Sequence, residues 1–117
     1  MKILFVDDNQ LNRLLMLDMM EMLFEEIEVE IYESAAEVLA LDIEQYELIL
    51  SDIDMPDING FELYTLLREK NYKKPIIAVT ALAVNGDRER ILEHGFSDYI
   101  SKPIDMDLLE KAIQQHI

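Results

Sequence analysis

The chain has 117 residues, 25 Asp and Glu against 10 Lys and Arg, and no cysteine, so it reads as one domain over 1–117 without disulfides or thiolate metal sites. Its formal net charge of −15 repels phosphate backbones and anionic lipid surfaces, which argues against direct contact with nucleic acid or membrane. No apolar run nears the roughly 18 residues of a membrane span, and Ile3–Val6 stops at Asp7-Asp8, too early for a secretory leader; the expected location is a reducing cytoplasm.

Taken in chain order, the first element is a strand, Ile3–Val6, ending in Asp7 and Asp8. A helical stretch, Leu11–Phe24, follows. Leu15, Met16, Met19, Met20 and Leu23 recur there at helical spacing as a core stripe, with the methionines as gap-filling residues. Leu11, Leu14 and Leu17 fall on another face, shared with Asp18 and Glu21, where grouped apolar residues can mark a docking surface. Glu25–Glu30 reads as a solvated turn leading into a weaker strand, Val29–Tyr32. The second helix, Ala35–Leu41, opens with a capping box, Ser34 followed three residues later by Glu37.

Strand three, Leu48–Leu50, leads to Asp52, and a helix over Phe61–Lys70 comes next. Strand four, Ile76–Val79, leads to Thr80. The fourth helix, Asp87–His94, ends at Gly95, a suitable C′ residue, with Phe96 placed over the last turn. A short strand, Tyr99–Ile100, leads to Lys102, and Asp105 can cap the last helix, Met106–His116. His94 and His116 sit near helix C-termini, where a cation is mildly favoured, and receive no chemical role.

Near-continuous apolar strands alternating with helices predict a parallel sheet covered on both faces, a doubly wound (βα)5 α/β sandwich. Sites in such folds gather at the carboxyl ends of the strands, near the point where strand order reverses. Those ends carry Asp7, Asp8, Asp52, Thr80 and Lys102. Any one Asp after a strand is as easily a helix cap or turn former. Together they are harder to dismiss, because two unit charges about 4 Å apart repel by roughly 4 kcal/mol at an effective dielectric near 20. A cation among them relieves that cost, and an incomplete set of oxygen ligands suits Mg²⁺ (or Mn²⁺), which keeps open positions for phosphate oxygens. Lys102 adds a point positive charge and Thr80 a neutral donor, a set suited to an anionic phosphoryl group.

Four segments, Phe5-Val6-Asp7-Asp8-Asn9, Leu50 to Pro56 with Asn59-Gly60, Val79-Thr80-Ala81, and Asp98 to Pro103, resemble the signature segments of response-regulator receiver domains, in order and across essentially the whole chain. Asn9, Asn12, Arg13, Gly86-Asp87-Arg88 and Tyr99 to Pro103 are closest in style to receivers of hybrid histidine kinases or single-domain response regulators. The resemblance implies a flavodoxin-like fold with strand order 2-1-3-4-5 and a two-component or phosphorelay function. Asp52 would be the phosphoacceptor, taking its phosphoryl group from the phosphohistidine of a histidine kinase or histidine phosphotransfer protein. Asp8, Asp52 and the backbone carbonyl of Asp54 would ligate the metal, with Asp7 acting through water. Lys102 would contact the phosphoryl group, and Thr80 and Tyr99 would switch. A cis Lys102–Pro103 peptide is implied as well. Leu11, Leu14, Leu17 and Pro103 would receive the partner, and the chain would be a monomer or weak dimer.

Asp54 departs from the family, which often has an uncharged or amide side chain there; extra negative charge beside Asp52 is expected to weaken phosphoryl retention or raise metal dependence. Two other functions compete. Asp52-Ile53-Asp54 resembles the nucleophile motif of haloacid-dehalogenase-type phosphatases, but those enzymes place their acidic metal pair after the lysine, whereas Asp7-Asp8 comes first. A receiver acting only as a binding module is the other, and every position needed for phosphorylation is filled. The chain ends with the fifth helix, as expected of a stand-alone shuttle or switch or of a domain of a longer protein.

Overall fold

A computed structural model describes residues 1–81 and 87–117; Gly86, one of the residues of the hybrid-kinase style, lies outside them. Five strands, β1 (Lys2–Val6), β2 (Glu28–Tyr32), β3 (Leu48–Asp52), β4 (Ile76–Thr80) and β5 (Asp98–Ser101), alternate with helices α1 (Gln10–Leu23), α2 (Ala35–Leu39), α3 (Gly60–Glu69), α4 (Asp87–His94) and α5 (Met106–His116). The strands form one parallel sheet in the expected order, β2-β1-β3-β4-β5.

Period-2 alternation of side chains divides the core between the two faces of that sheet. Leu4, Val6, Ile49, Ile76 and Ala78 pack on one side with Val38, Leu63, Leu67, Tyr72 and Phe96 beneath α2, α3 and α4. Ile3, Phe5, Leu48, Leu50, Ile77 and Val79 face the other way, against Met16 and Met20 of α1 and Leu109, Ala112 and Ile113 of α5. Both sides of the central strands are therefore buried, which explains why β3 and β4 read as unbroken apolar runs.

The helix ends follow their caps. Asn9, Ser34 and Asp105 accept from the backbone N–H three residues on, opening α1, α2 and α5. In the Ser34 box, Glu37 Oε1 accepts from Glu33 N and Ser34 Oγ rather than from the Ser34 N–H. α2 ends at Leu39, short of Leu41, because Ala40 and Leu41 donate to Glu37 and Val38 and tighten the turn. A 3-10 turn, Ile43–Gln45, follows. A full capping box that the sequence reading missed opens α3: Asn59 Oδ1 accepts from Glu62 N at 2.9 Å, and Glu62 accepts from Asn59 N at 3.1 Å. At the far end of α4, Gly95 takes φ +125°, a conformation that only glycine adopts without strain, and Phe96 is buried behind it.

Two expectations change. Leu15 is 38% exposed and leaves the core stripe of α1 to Met16 and Met20, with Met19 and Leu23 packed partly buried beside them. Glu28, read as part of the solvated turn ahead of the Val29–Tyr32 strand, is the first residue of β2, where its N–H donates to Met1 O.

Gly60 holds α3 close against β3. A Cβ at that position would run into the carbonyl of Asp52 and lie 2.7 Å from Ile53 Cα. Asn59→Ala is expected to cost about 1 kcal/mol in urea unfolding through loss of the cap. Gly60→Ala should cost more, about 1–3 kcal/mol, because backbone must move. Equal costs would show that the contact with β3 is unimportant.

Candidate functional site

β1, β3 and β5 deliver their last residues to one edge of the sheet. In register, Val6 stands beside Ser51, which puts Asp7 and Asp52 at one level; Asp52 is level with Val79 and Ile100, so Lys102 leaves β5 two residues further on and its long side chain reaches back to the acids. One carboxylate oxygen from each of Asp7, Asp8 and Asp52 lies within 4.8 Å of the others. Asp7 and Asp52 are buried, whereas Asp8 is exposed. Lys102 Nζ reaches between them, 2.8 Å from Asp7 Oδ2 and 3.1 Å from Asp52 Oδ1.

Asp7 is held on several sides. Its N–H donates to Tyr32 O at 3.1 Å. Its Oδ1 accepts from Asn9 N at 2.9 Å, and its carbonyl accepts from Arg13 Nη1 at 2.9 Å. Oδ2 is buried without an aligned hydrogen-bond donor, Lys102 being at ion-pair distance only. Three carboxylates against one ammonium leave the site short of positive charge. Burial, then the charge of Asp7, pushes the Asp52 carboxyl up from 3.8 to about 7, against the opposing pull of Lys102. Burial alone would lower the Lys102 pKa, but its contacts with Asp7 and Asp52 outweigh that and hold the ammonium above its ordinary 10.5.

A cavity of about 340 Å³ opens over this cluster, and Thr80, Asp54, Asn9 and Asn12 line it with the acids and Lys102. The donor set is all oxygen and incomplete, and a single ammonium faces three carboxylates, which fits a hard divalent cation that retains waters. Asp54 is exposed beside Asp52, and the Lys102–Pro103 peptide is cis.

Tyr99 lies elsewhere. It lines a second cavity, of about 360 Å³, with Asp98, Ser101 and Lys111, and the Arg88 guanidinium sits 5.6 Å above its ring. Tyr99 pairs in register with Ala78, two residues before Thr80, so the two proposed switch residues share a face of the sheet on adjacent strands. On α1, Leu11 and Leu14 are 64% and 52% exposed, and Pro103 is exposed as well. Leu17 is half-buried; Leu15 takes its place on the exposed face. Sequence reasoning grouped Arg13 with a motif but saw no role for it, because its grip on a backbone carbonyl has no sequence signature.

Residues 3–114 match the family model described as the response regulator receiver domain. The chain is 37% identical over 119 residues to the polar-differentiation response regulator DivK of Brucella abortus (strain 2308), covering 98% of this chain and 94% of that protein. It is 32% identical over 115 residues to the sensor protein EvgS of Escherichia coli K12, with 98% of this chain covered but only 10% of EvgS. Among solved structures, the receiver domain of sensor histidine kinase PA1611 from Pseudomonas aeruginosa PAO1, crystallised with a magnesium ion coordinated in its active site cleft, is similar. It superposes with a TM-score of 0.84 at 30% identity, covering 98% of this chain and 95% of that one.

A raised carboxylate pKa means that the fold binds a proton which the unfolded chain releases. The stability it contributes is fully present below about pH 4 and is lost as pH rises through about 7. In metal-free buffer, Asp52→Asn should therefore stabilise the protein much more at pH 8 than at pH 4.5, by a few kcal/mol at most. Urea unfolding of both proteins at the two pH values checks this; a pH-independent difference would contradict it.

Proposed function

The chain belongs to the response regulator receiver domain family of two-component signalling, and on that premise we propose that Asp52 accepts a phosphoryl group from a phosphohistidine. The observation that carries this reading is the position of Asp52, buried at the carboxyl end of β3 between the Lys102 ammonium and the Asp7–Asp8 pair. An Asp52 carboxylate oxygen attacks phosphorus, a P–O bond forms, the P–N bond of the phosphohistidine breaks, and the imidazole departs with a proton. Lys102 offsets the charge on the phosphoryl oxygens and keeps Asp52 in place. Thr80, on the wall of the same cavity, offers a hydroxyl to the phosphoryl group. Mg²⁺ or Mn²⁺, held by Asp8, Asp52, the Asp54 carbonyl and, through water, Asp7, would neutralise charge at the transferring group.

The output is a population shift. Charge gained at Asp52 biases Thr80, and Tyr99 on the neighbouring strand responds from its place beneath Arg88. The donor partner is a histidine kinase or histidine phosphotransfer protein. It would dock on Leu11, Leu14 and Leu15 of α1 and on Pro103, exposed apolar side chains in segments whose Asn12 and Lys102 line the acid cavity.

Intact mass after incubation with a small phosphodonor and Mg²⁺ should rise by about 80 Da, one phosphoryl group. The gain should vanish in Asp52→Asn and without divalent metal; uptake in Asp52→Asn would refute the assignment. Followed over time, Asp54→Asn should hold its phosphoryl group severalfold longer, and an unchanged decay rate would clear Asp54 of any such role. Leu14→Ser should slow transfer from a phosphorylated histidine phosphotransfer domain about tenfold, the loss expected from one apolar anchor. Equal transfer rates would place the docking face elsewhere.

A further inference from the structure

We propose that Arg13 is a positioning residue for the acid pair, holding the Asp7–Asp8 peptide so that Asp8 faces the cation; this rests on the metal-binding reading above. Arg13 closes the first turn of α1 with its side chain only 20% exposed, and it folds back onto the loop preceding its own helix. Nη1 donates to the Asp7 carbonyl at 2.9 Å, and Nη2 lies 3.6 Å from Glu33 at the end of β2.

The geometry gives that one hydrogen bond unusual leverage. A peptide unit is planar, so fixing the Asp7 oxygen also fixes the N–H and Cα of Asp8. On the other side of Asp7, its N–H is already tied to Tyr32 O, and its Oδ1 to Asn9 N. Asp8 is the exposed member of the acid cluster and the one with the least packing to orient it. Its direction therefore comes from the backbone that carries it, and Arg13 holds that backbone.

Charge and orientation make opposite predictions. A guanidinium near a cation site weakens cation binding by repulsion, so its removal should tighten Mg²⁺ if charge were its main effect. Solvent and the exposed Glu33 screen part of that charge, whereas the hydrogen bond to the Asp7 carbonyl is direct, so orientation dominates and removal should loosen Mg²⁺.

The test is a titration of the metal-free, full chain with MgCl₂, followed through the backbone amide resonances of Asp8 and Asn9 by NMR. In Arg13→Ala the Kd for Mg²⁺ should rise about tenfold, as for other residues that orient metal ligands. The Asp8 amide should already be displaced before metal is added, while β4 and β5 amides stay in place. Arg13→Lys, which keeps an ammonium donor, should recover most of the affinity, whereas a general loss of packing would not be repaired this way. Asp8→Asn serves as the control for the site itself. Unchanged or tighter Mg²⁺ binding in Arg13→Ala, with wild type binding normally, overturns the role of Arg13 alone. Wild-type protein that gives no response at Asp8, or one that persists in Asp8→Asn, overturns the metal-binding reading and this inference with it.

Discussion

Lys102 Nζ stands 2.8 Å from one buried carboxylate and 3.1 Å from another, and most of the molecule serves to bring those three groups together. Buried charge is costly unless it is paired, and removing one member of such a pair strands the other. Asp7, Asp52 and Lys102 come from strands that are neither consecutive in sequence nor adjacent as a set: β4 lies between β3 and β5. Register fixes their relative height. A one-residue slip of β5 against β4 would turn Lys102 to the opposite face. The bond from Lys102 N to Thr80 O, at 2.8 Å, continues the ladder past the end of β5 and guards against that slip.

The ammonium does not finish the task. With three carboxylates around it, the cluster remains electron-rich, Asp7 Oδ2 keeps an unaligned lone pair, and Asp52 leans toward its protonated form. A site in this condition is poised to accept positive charge from outside. The hollow that holds Tyr99 is separate from the acid cavity, although the two are one strand apart. The acid cavity is lined by buried Asp7, Asp52 and Thr80, whereas the aromatic ring of Tyr99 is only half-buried.

Much of this was legible before any coordinates. The apolar runs at Leu48–Leu50 and Ile76–Val79 suggested strands covered on both sides, and a parallel sheet gathers the polar residues at their ends on one edge. Ser34, Gly95 and Asp105 marked helix ends correctly because caps act locally. What escaped depended on rotation or on distant partners. Leu15 and Leu17 differ by two positions on a helix, and only the packing of α1 against the sheet decided which would face solvent. Glu28 looked like a turn residue, yet it opens a strand where Lys2 pairs with it and with Glu30, and the Tyr46 hydroxyl donates to Glu30 at 2.5 Å. The grip of Arg13 on a carbonyl leaves no trace in composition or spacing.

The placement of β2 and β5 at the margins of the sheet affects how the domain tolerates company. An open margin is a row of unpaired amides and carbonyls that invites another chain to zip on. β5 is only four residues long, and β2 bears Glu28, whose side chain is 61% exposed, along its outer course. Two copies meeting margin to margin would have to accommodate the Lys2-paired glutamates of β2 and would find little length to grip along β5. Crowding, high expression or tethering of several such domains on one polypeptide should therefore not drive them into shared sheets or fibrils.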